Sequence, residues 1–220
     1  MNVLVISPHP DDETLGAGGT LLKFKDMGHK TFWLNVTNVR TEYGYPPERV
    51  AERNKEIEAV NRAYAFDGFR NMELEPAGLD KYETGVLVAG FKQVLEEIKP
   101  EILLIPYGND VHSDHRVVFD AVFSCTKSFR APWLKAVLSM EILSETDQAW
   151  GERGFIPNVF IDVSPYVDKK VEIMKIYESE MATAPFPRNE DAIRGLASYR
   201  GATAYYGYSE AFCLIKGRMD

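Results

Sequence analysis

Cysteine is scarce in this chain of 220 residues: there are two, Cys125 and Cys213, and neither belongs to a Cys-x-x-Cys pair. Thiolate metal clusters and dithiol redox chemistry are thereby excluded, and both thiols are expected as reduced, buried side chains of a cytoplasmic protein. Long apolar runs are missing as well. Nothing approaches the roughly 18 apolar residues that a membrane span needs. The opening stretch has an apolar run of only Val3–Ile6 and no basic residues before it, so it does not read as a secretory signal. Positive charge is in deficit, with 25 Lys and Arg against 33 Asp and Glu and a formal net charge of −8. A nucleic-acid binder needs a basic face to neutralise phosphates, so that class is excluded, and docking on anionic membranes is disfavoured. Repeats, low-complexity tracts and linkers rich in Pro, Gly or Ser are absent, which predicts one domain over residues 1–220.

What is present is an alternation of short β-branched runs with amphipathic segments. Asn2–Ile6 reads as a buried strand closed by Ser7-Pro8, and a helix follows from Leu15 to about Met27 with Gly28 as its stop. Thr31–Val36 is a second strand. Pro47–Tyr64 is a long helix, with Pro47 suited to its first turn and Val50, Ile57, Val60 and Tyr64 at helical spacing. Phe69–Leu74, Ile102–Ile105, Val137–Leu143, Val159–Val163 and Phe212–Ile215 read as strands; Val86–Ile98, Asp114–Ser128, Val167–Tyr177 and Glu190–Tyr199 read as helices. This pattern predicts an α/β fold, a Rossmann-like three-layer α/β/α arrangement with a mostly parallel sheet. In the common strand order 3-2-1-4-5, strands one and four are neighbours where the winding reverses, and ligands bind in the crevice beyond their carboxyl ends.

Those two tips carry three of the four histidines. The first is Ser7-Pro8-His9-Pro10-Asp11-Asp12-Glu13; the second runs from Pro106 to His115 and contains His112-Ser113-Asp114-His115. The fourth histidine, His29, reads as a solvated turn residue. Imidazole and carboxylate on converging loops form a ligand set for a borderline metal such as zinc, and two histidines with one aspartate leave a position for water. Bound zinc lowers the pKa of that water towards about 7, and a neighbouring carboxylate can take its proton. Either motif by itself is also good helix-capping chemistry, since acidic groups favour a helix N-terminus. Spacing does not separate the role of Asp11 from that of Asp12.

The segments Pro8-His9-Pro10-Asp11-Asp12-Glu13, Leu15-Gly16-x-Gly18-Gly19 and His112-x-Asp114-His115 resemble the PIG-L / LmbE-like family of zinc-dependent N-deacetylases. So do Arg53-x-x-Glu56 and the tail from Phe155-Ile156-Pro157-Asn158 through Asp162-Val163-Ser164 to Ser209-Glu210-Ala211-Phe212. The family's usual proline between His112 and Asp114 is Ser113 here, which alters no ligand. The resemblance implies His9, Asp12 and His115 as zinc ligands, with Fe2+ acceptable to the same set. It implies Asp11 as general base, His112 as the group that polarises the carbonyl or steadies the oxyanion, and Asp114 as the residue that orients His112. Arg53 resembles a substrate-contacting position. The implied reaction is removal of an N-acetyl group from an amino-sugar conjugate, a small-molecule partner, by an enzyme that is expected to be a homo-oligomer. The rival reading is a catalytically silent metal- and sugar-binding protein of the same fold.

Other motifs carry less. Gly16-Ala17-Gly18-Gly19 is not a dinucleotide fingerprint, because Leu21 stands where the third glycine belongs; small residues that let a helix approach the sheet are the better account. No Gly-x-Ser-x-Gly elbow exists, and Cys125 falls mid-helix in an apolar setting. Among the tyrosines, Tyr107 lies on the strand-four tip, where its ring is placed to stack on a sugar.

Overall fold

The computed structural model describes residues 1–149 and 151–218. One seven-stranded sheet organises the chain, with strand order β3-β2-β1-β4-β5-β7-β6. The strands are β1 (Asn2–Ser7), β2 (Lys30–Thr37), β3 (Gly68–Leu74), β4 (Ile102–Ile105), β5 (Ala136–Met140), β6 (Val159–Asp162) and β7 (Ser209–Gly217). β1 pairs in parallel with β2 and with β4, β2 with β3, and β4 with β5. β7 runs antiparallel to both β5 and β6. The three-layer, mostly parallel fold expected from the sequence is the one observed.

The central strand shows why the runs are continuously apolar. Val3 and Val5 point into one core, with Trp33, Ile57 and Val60; Leu4 and Ile6 point into the other, with Leu34, Phe91 and Val118. A strand covered on both faces has no polar side to alternate with. Helices α1 (Asp12–Asp26), α2 (Pro47–Tyr64), α5 (Val167–Met174) and α6 (Glu190–Ala204) cover the first face, and α3 (Thr84–Ile98) and α4 (Ser113–Ser124) the second. Among the described residues, no helix is long and apolar enough to cross a membrane.

Several boundaries differ from the sequence reading. α1 begins at Asp12, three residues before Leu15, because its acidic first turn is helical and buried. α4 stops at Ser124, so Cys125 is its C-cap and not a mid-helix residue; the Cys125 thiol donates to the Ala121 carbonyl. α5 ends at Met174, short of Tyr177. α6 continues to Ala204, where Tyr205 turns left-handed at φ 64°.

The glycines of α1 do what small residues were expected to do. A Cβ on Gly16 would come within 2.9 Å of Met140 Cβ, and one on Gly19 within 2.7 Å of Val163 Cβ. Behind them, a buried pair enters the helix ladder. The Glu210 carboxylate accepts from the amides of Gly19 and Thr20 at 2.8 and 2.7 Å, and Lys170 Nζ donates to the Leu15 carbonyl and to Glu210 at 2.8 and 2.7 Å. The tail motif Ser209-Glu210 thus reaches the helix whose first turn enters the site.

Candidate metal centre and cleft

The pairing of β1 with β4 sets the two histidine loops side by side. The β1 loop is tied down by Thr37, whose amide and hydroxyl both donate to the Pro8 carbonyl, at 3.0 and 2.8 Å. Asp11 follows in a strained conformation, φ 131°, a region costing a non-glycine residue about 1–3 kcal/mol. The Glu13 carboxylate holds it there by accepting from the Asp11 amide at 3.0 Å.

Three polar atoms converge at the centre. His115 Nε2 lies 3.3 Å from His9 Nδ1 and 3.3 Å from Asp12 Oδ2, and His9 Nδ1 lies 3.4 Å from the same oxygen. Tetrahedral ligands at zinc distances of about 2.0–2.1 Å stand about 3.3–3.4 Å apart, so this triangle has the dimensions of one face of such a site. The outward ring nitrogens are each held by a carboxylate: His9 Nε2 by Asp114 at 3.0 Å, His115 Nδ1 by Asp110 at 3.1 Å. This is the outer-shell arrangement that fixes a ligating imidazole. Burial opposes charge on His9, yet Asp114 and Asp12 lift its pKa to about 9. Burial opposes charge on His115 too, and Asp12 and Asp110 lift it to about 10. Burial alone would raise Asp12, but His115 and His9 hold it well below the usual carboxylate range.

His112 is a geometric alternative to Asp12, because nitrogens of all three histidines lie within 4.8 Å of one another. The Asp12 triangle has all three sides at 3.3–3.4 Å, and His112 Nδ1 already accepts from the Asp114 amide at 3.1 Å. That bond leaves the ring proton of a neutral His112 on Nε2. Burial, then His9 and His115, push the His112 pKa down to about 4, so the ring is neutral near pH 7.

The Asp114 carboxylate does not orient His112. It bonds His9 and accepts from the amides of Ala77 and Leu79 at 2.7 and 3.1 Å; its contact with His112 is made through its own backbone. The reason is geometric: Asp114 sits in the first turn of α4, and its side chain points towards β1 and the loop after β3.

A cleft of about 310 Å³ opens beside the triangle, bordered by His9, Asp11, His112, Arg53, Glu145 and Arg188 among others. Arg53 borders it as expected, but it is buried, with Nη1 on the Pro10 carbonyl at 3.0 Å, Nη2 on Ser179 Oγ at 3.2 Å and on Glu180, and Nε 3.4 Å from Glu56. Three of its donors are spent on the protein, and Nε, though near Glu56, is buried without a hydrogen-bond partner. Tyr107 is not among the residues bordering the cleft. Its hydroxyl donates to the carbonyls of Arg153 and Gly154 at 3.0 and 3.1 Å, and its ring meets Phe155 edge-on. Two residues escaped the sequence reading. Asp110 stands two positions before His112, a spacing that could have marked it. Arg188 comes from the irregular stretch between α5 and α6, which has no pattern to read. Its Nη1 donates to Asp11 Oδ2 at 2.9 Å and Glu180 Oε2 at 3.0 Å, its Nη2 to Glu145 at 2.9 Å and its Nε to Ser144 Oγ at 2.9 Å.

A mostly parallel α/β sheet thus carries a candidate imidazole–carboxylate centre at the carboxyl ends of β1 and β4. The chain belongs to the PIG-L family, described as GlcNAc-PI de-N-acetylase, whose model matches residues 4–126. It is 27% identical to a diacetylchitobiose deacetylase of Thermococcus kodakarensis, over 98% of this chain and 83% of the relative. It is 25% identical to a probable N-acetyl-alpha-D-glucosaminyl L-malate deacetylase 2 of Bacillus anthracis, over 83% of this chain and 82% of the relative. The crystal structure of a conserved protein from Thermus thermophilus superposes with a TM-score of 0.76 at 25% identity, covering 99% of this chain and 96% of that one.

Proposed function

We propose that this protein is a metal-dependent hydrolase that removes the N-acetyl group of an N-acetylglucosamine conjugate. The observation that carries the reading is the triangle of His9, Asp12 and His115, its two imidazoles backed by Asp114 and Asp110, with Asp11 and His112 on the cleft beside it. The three residues of the triangle would hold zinc, or Fe2+, which accepts the same donors. When bound, the metal supplies Lewis acidity and a water that ionises near neutral pH.

The remaining chemistry belongs to the chain's own groups. Asp11 takes the proton of the attacking water. Burial raises its carboxyl well above the ordinary range, with Arg188 opposing, which is the direction a base working near neutrality needs. Arg188 fixes which way the carboxylate faces. Neutral His112 presents Nε2–H to the carbonyl oxygen as negative charge develops there, a contribution of about 10²–10³ in kcat for such donors. The carbon–nitrogen bond then breaks, and the proton held by Asp11 passes to the departing amine. Products are acetate and the free amine.

Acetate release from a panel of N-acetylglucosaminides, measured on metal-loaded and chelator-treated protein, tests this. Metal-dependent release is expected. Tight metal and sugar binding with no acetate from any member would make the protein a silent binder.

A further inference from the structure

The cleft wall says which conjugates suit it. Three guanidinium groups line it, those of Arg49, Arg53 and Arg188, and at first sight they invite an anion. All three instead converge on one protein carboxylate, Glu180. Arg188 Nη1 reaches it at 3.0 Å, Arg49 Nη2 at 3.3 Å, and Arg53 Nη2 more closely still. Each has a second acidic partner: Asp11 and Glu145 for Arg188, Glu56 for Arg53, and Glu52 for Arg49. Three guanidinium groups therefore meet five carboxyl groups. Four of the five donors on Arg188, and at least three on Arg53, are already engaged.

A carboxylate or phosphate on the substrate would compete with Glu180 and Glu145 for Arg188 and Arg53, and displacing either glutamate strands a charge. It would also approach a molecule of net charge −8, whose field opposes it at long range. Away from the ionisable groups the wall is uncharged, with apolar Pro10, Val39, Pro76 and Ala77 beside polar residues. Thr37, Asn38 and Tyr45 border the cleft, and Asn38 Oδ1 is buried without a hydrogen-bond partner. That orphan acceptor suits a hydroxyl or amide N–H, while the orphan donor of the same wall, buried Arg53 Nε, already faces the Glu56 carboxylate at 3.4 Å.

Resting on the deacetylase reading, we infer that the conjugate this cleft takes is uncharged beyond its acetamide, a neutral N-acetylglucosaminide with a hydroxylated partner such as a second sugar, and that Glu180 and Glu145 enforce this by neutralising the cleft arginines. The class with an acidic aglycone, such as a malate glycoside, is rejected.

The experiment compares N,N'-diacetylchitobiose with the malate glycoside of N-acetylglucosamine on metal-loaded protein. The readouts are kcat/KM by acetate release and Kd by calorimetry on the His112→Ala variant, whose lost ring is neutral and leaves the arginine–carboxylate set intact. The neutral substrate is expected to be favoured at least tenfold in both. Glu180→Gln and Glu145→Gln are each expected to shrink that ratio at least threefold, whatever they do to the overall rate, and added salt is expected to shrink it in the parent protein. Equal or better handling of the malate glycoside overturns the inference and leaves the deacetylase reading standing. So does a ratio that neither glutamine variant moves. No acetate from either compound, or from the wider panel, overturns both.

Discussion

Replacing Arg188 by Met removes the cation that three acidic side chains share. In the parent protein the guanidinium makes four hydrogen bonds, to Asp11, Glu180, Glu145 and Ser144, from a side chain only 17% exposed. Breaking a buried pair by deleting one partner costs about 3–5 kcal/mol, because the other charge is left uncompensated. Glu180 retains Arg53 and Arg49, so the burden falls on Asp11 and Glu145. Burial raises both of these carboxyls, and Arg188 opposes that rise in each. Without it they rise further in the folded state, and the folded protein binds more protons than the unfolded chain between about pH 4 and neutrality. The stability of the variant therefore falls as pH rises, since the slope follows protons bound by the unfolded minus the folded state. Near pH 5 the carboxyls go neutral and the loss shrinks; at pH 8 it reaches the full about 3–5 kcal/mol. Urea denaturation of metal-free Arg188→Met and parent protein at pH 5 and pH 8 is the assay. A loss below about 1 kcal/mol at pH 8, or the same loss at both pH values, refutes the reasoning.

Three further outcomes are expected. Asp114→Asn should weaken metal affinity about 10–100-fold, the usual cost of an outer-shell partner, while His112→Ala leaves affinity within a few-fold; a fluorimetric zinc titration showing the opposite order would put the Asp114 carboxylate on His112. Asp11→Asn should keep its metal while kcat falls about 10²–10⁴, and Asp12→Ala should lose metal and activity together, so elemental analysis beside acetate kinetics separates base from ligand. Gly19→Ala should lower stability by about 1–3 kcal/mol, because the new methyl meets Val163 Cβ at 2.7 Å; an unchanged melting temperature would contradict the close packing of α1.

Much of the framework was legible because its signals are local. The doubly covered strands read as apolar runs, and α2 and β4 have the bounds their periodicity indicates, Pro47–Tyr64 and Ile102–Ile105. Helix ends were less legible where tertiary contacts set them. The acidic turn that opens α1 is buried, and α4 stops where the Cys125 thiol turns back on the Ala121 carbonyl.

The histidines and aspartates at two strand tips, and the neighbourhood of those tips, followed from the sequence, since strand order and parallel pairing bring the carboxyl ends of β1 and β4 together. Partnerships did not. A one-dimensional string holds Asp114 beside His112, but the turn of α4 aims its carboxylate at His9, 105 residues away. Arg53 carries a motif, yet its charge is consumed by Glu180 from a segment with no periodicity. Arg188 meets Asp11 across 177 residues of chain. Which residue types are available is a property of the sequence; which donor reaches which acceptor depends on side-chain direction and burial, and only the folded chain decides those.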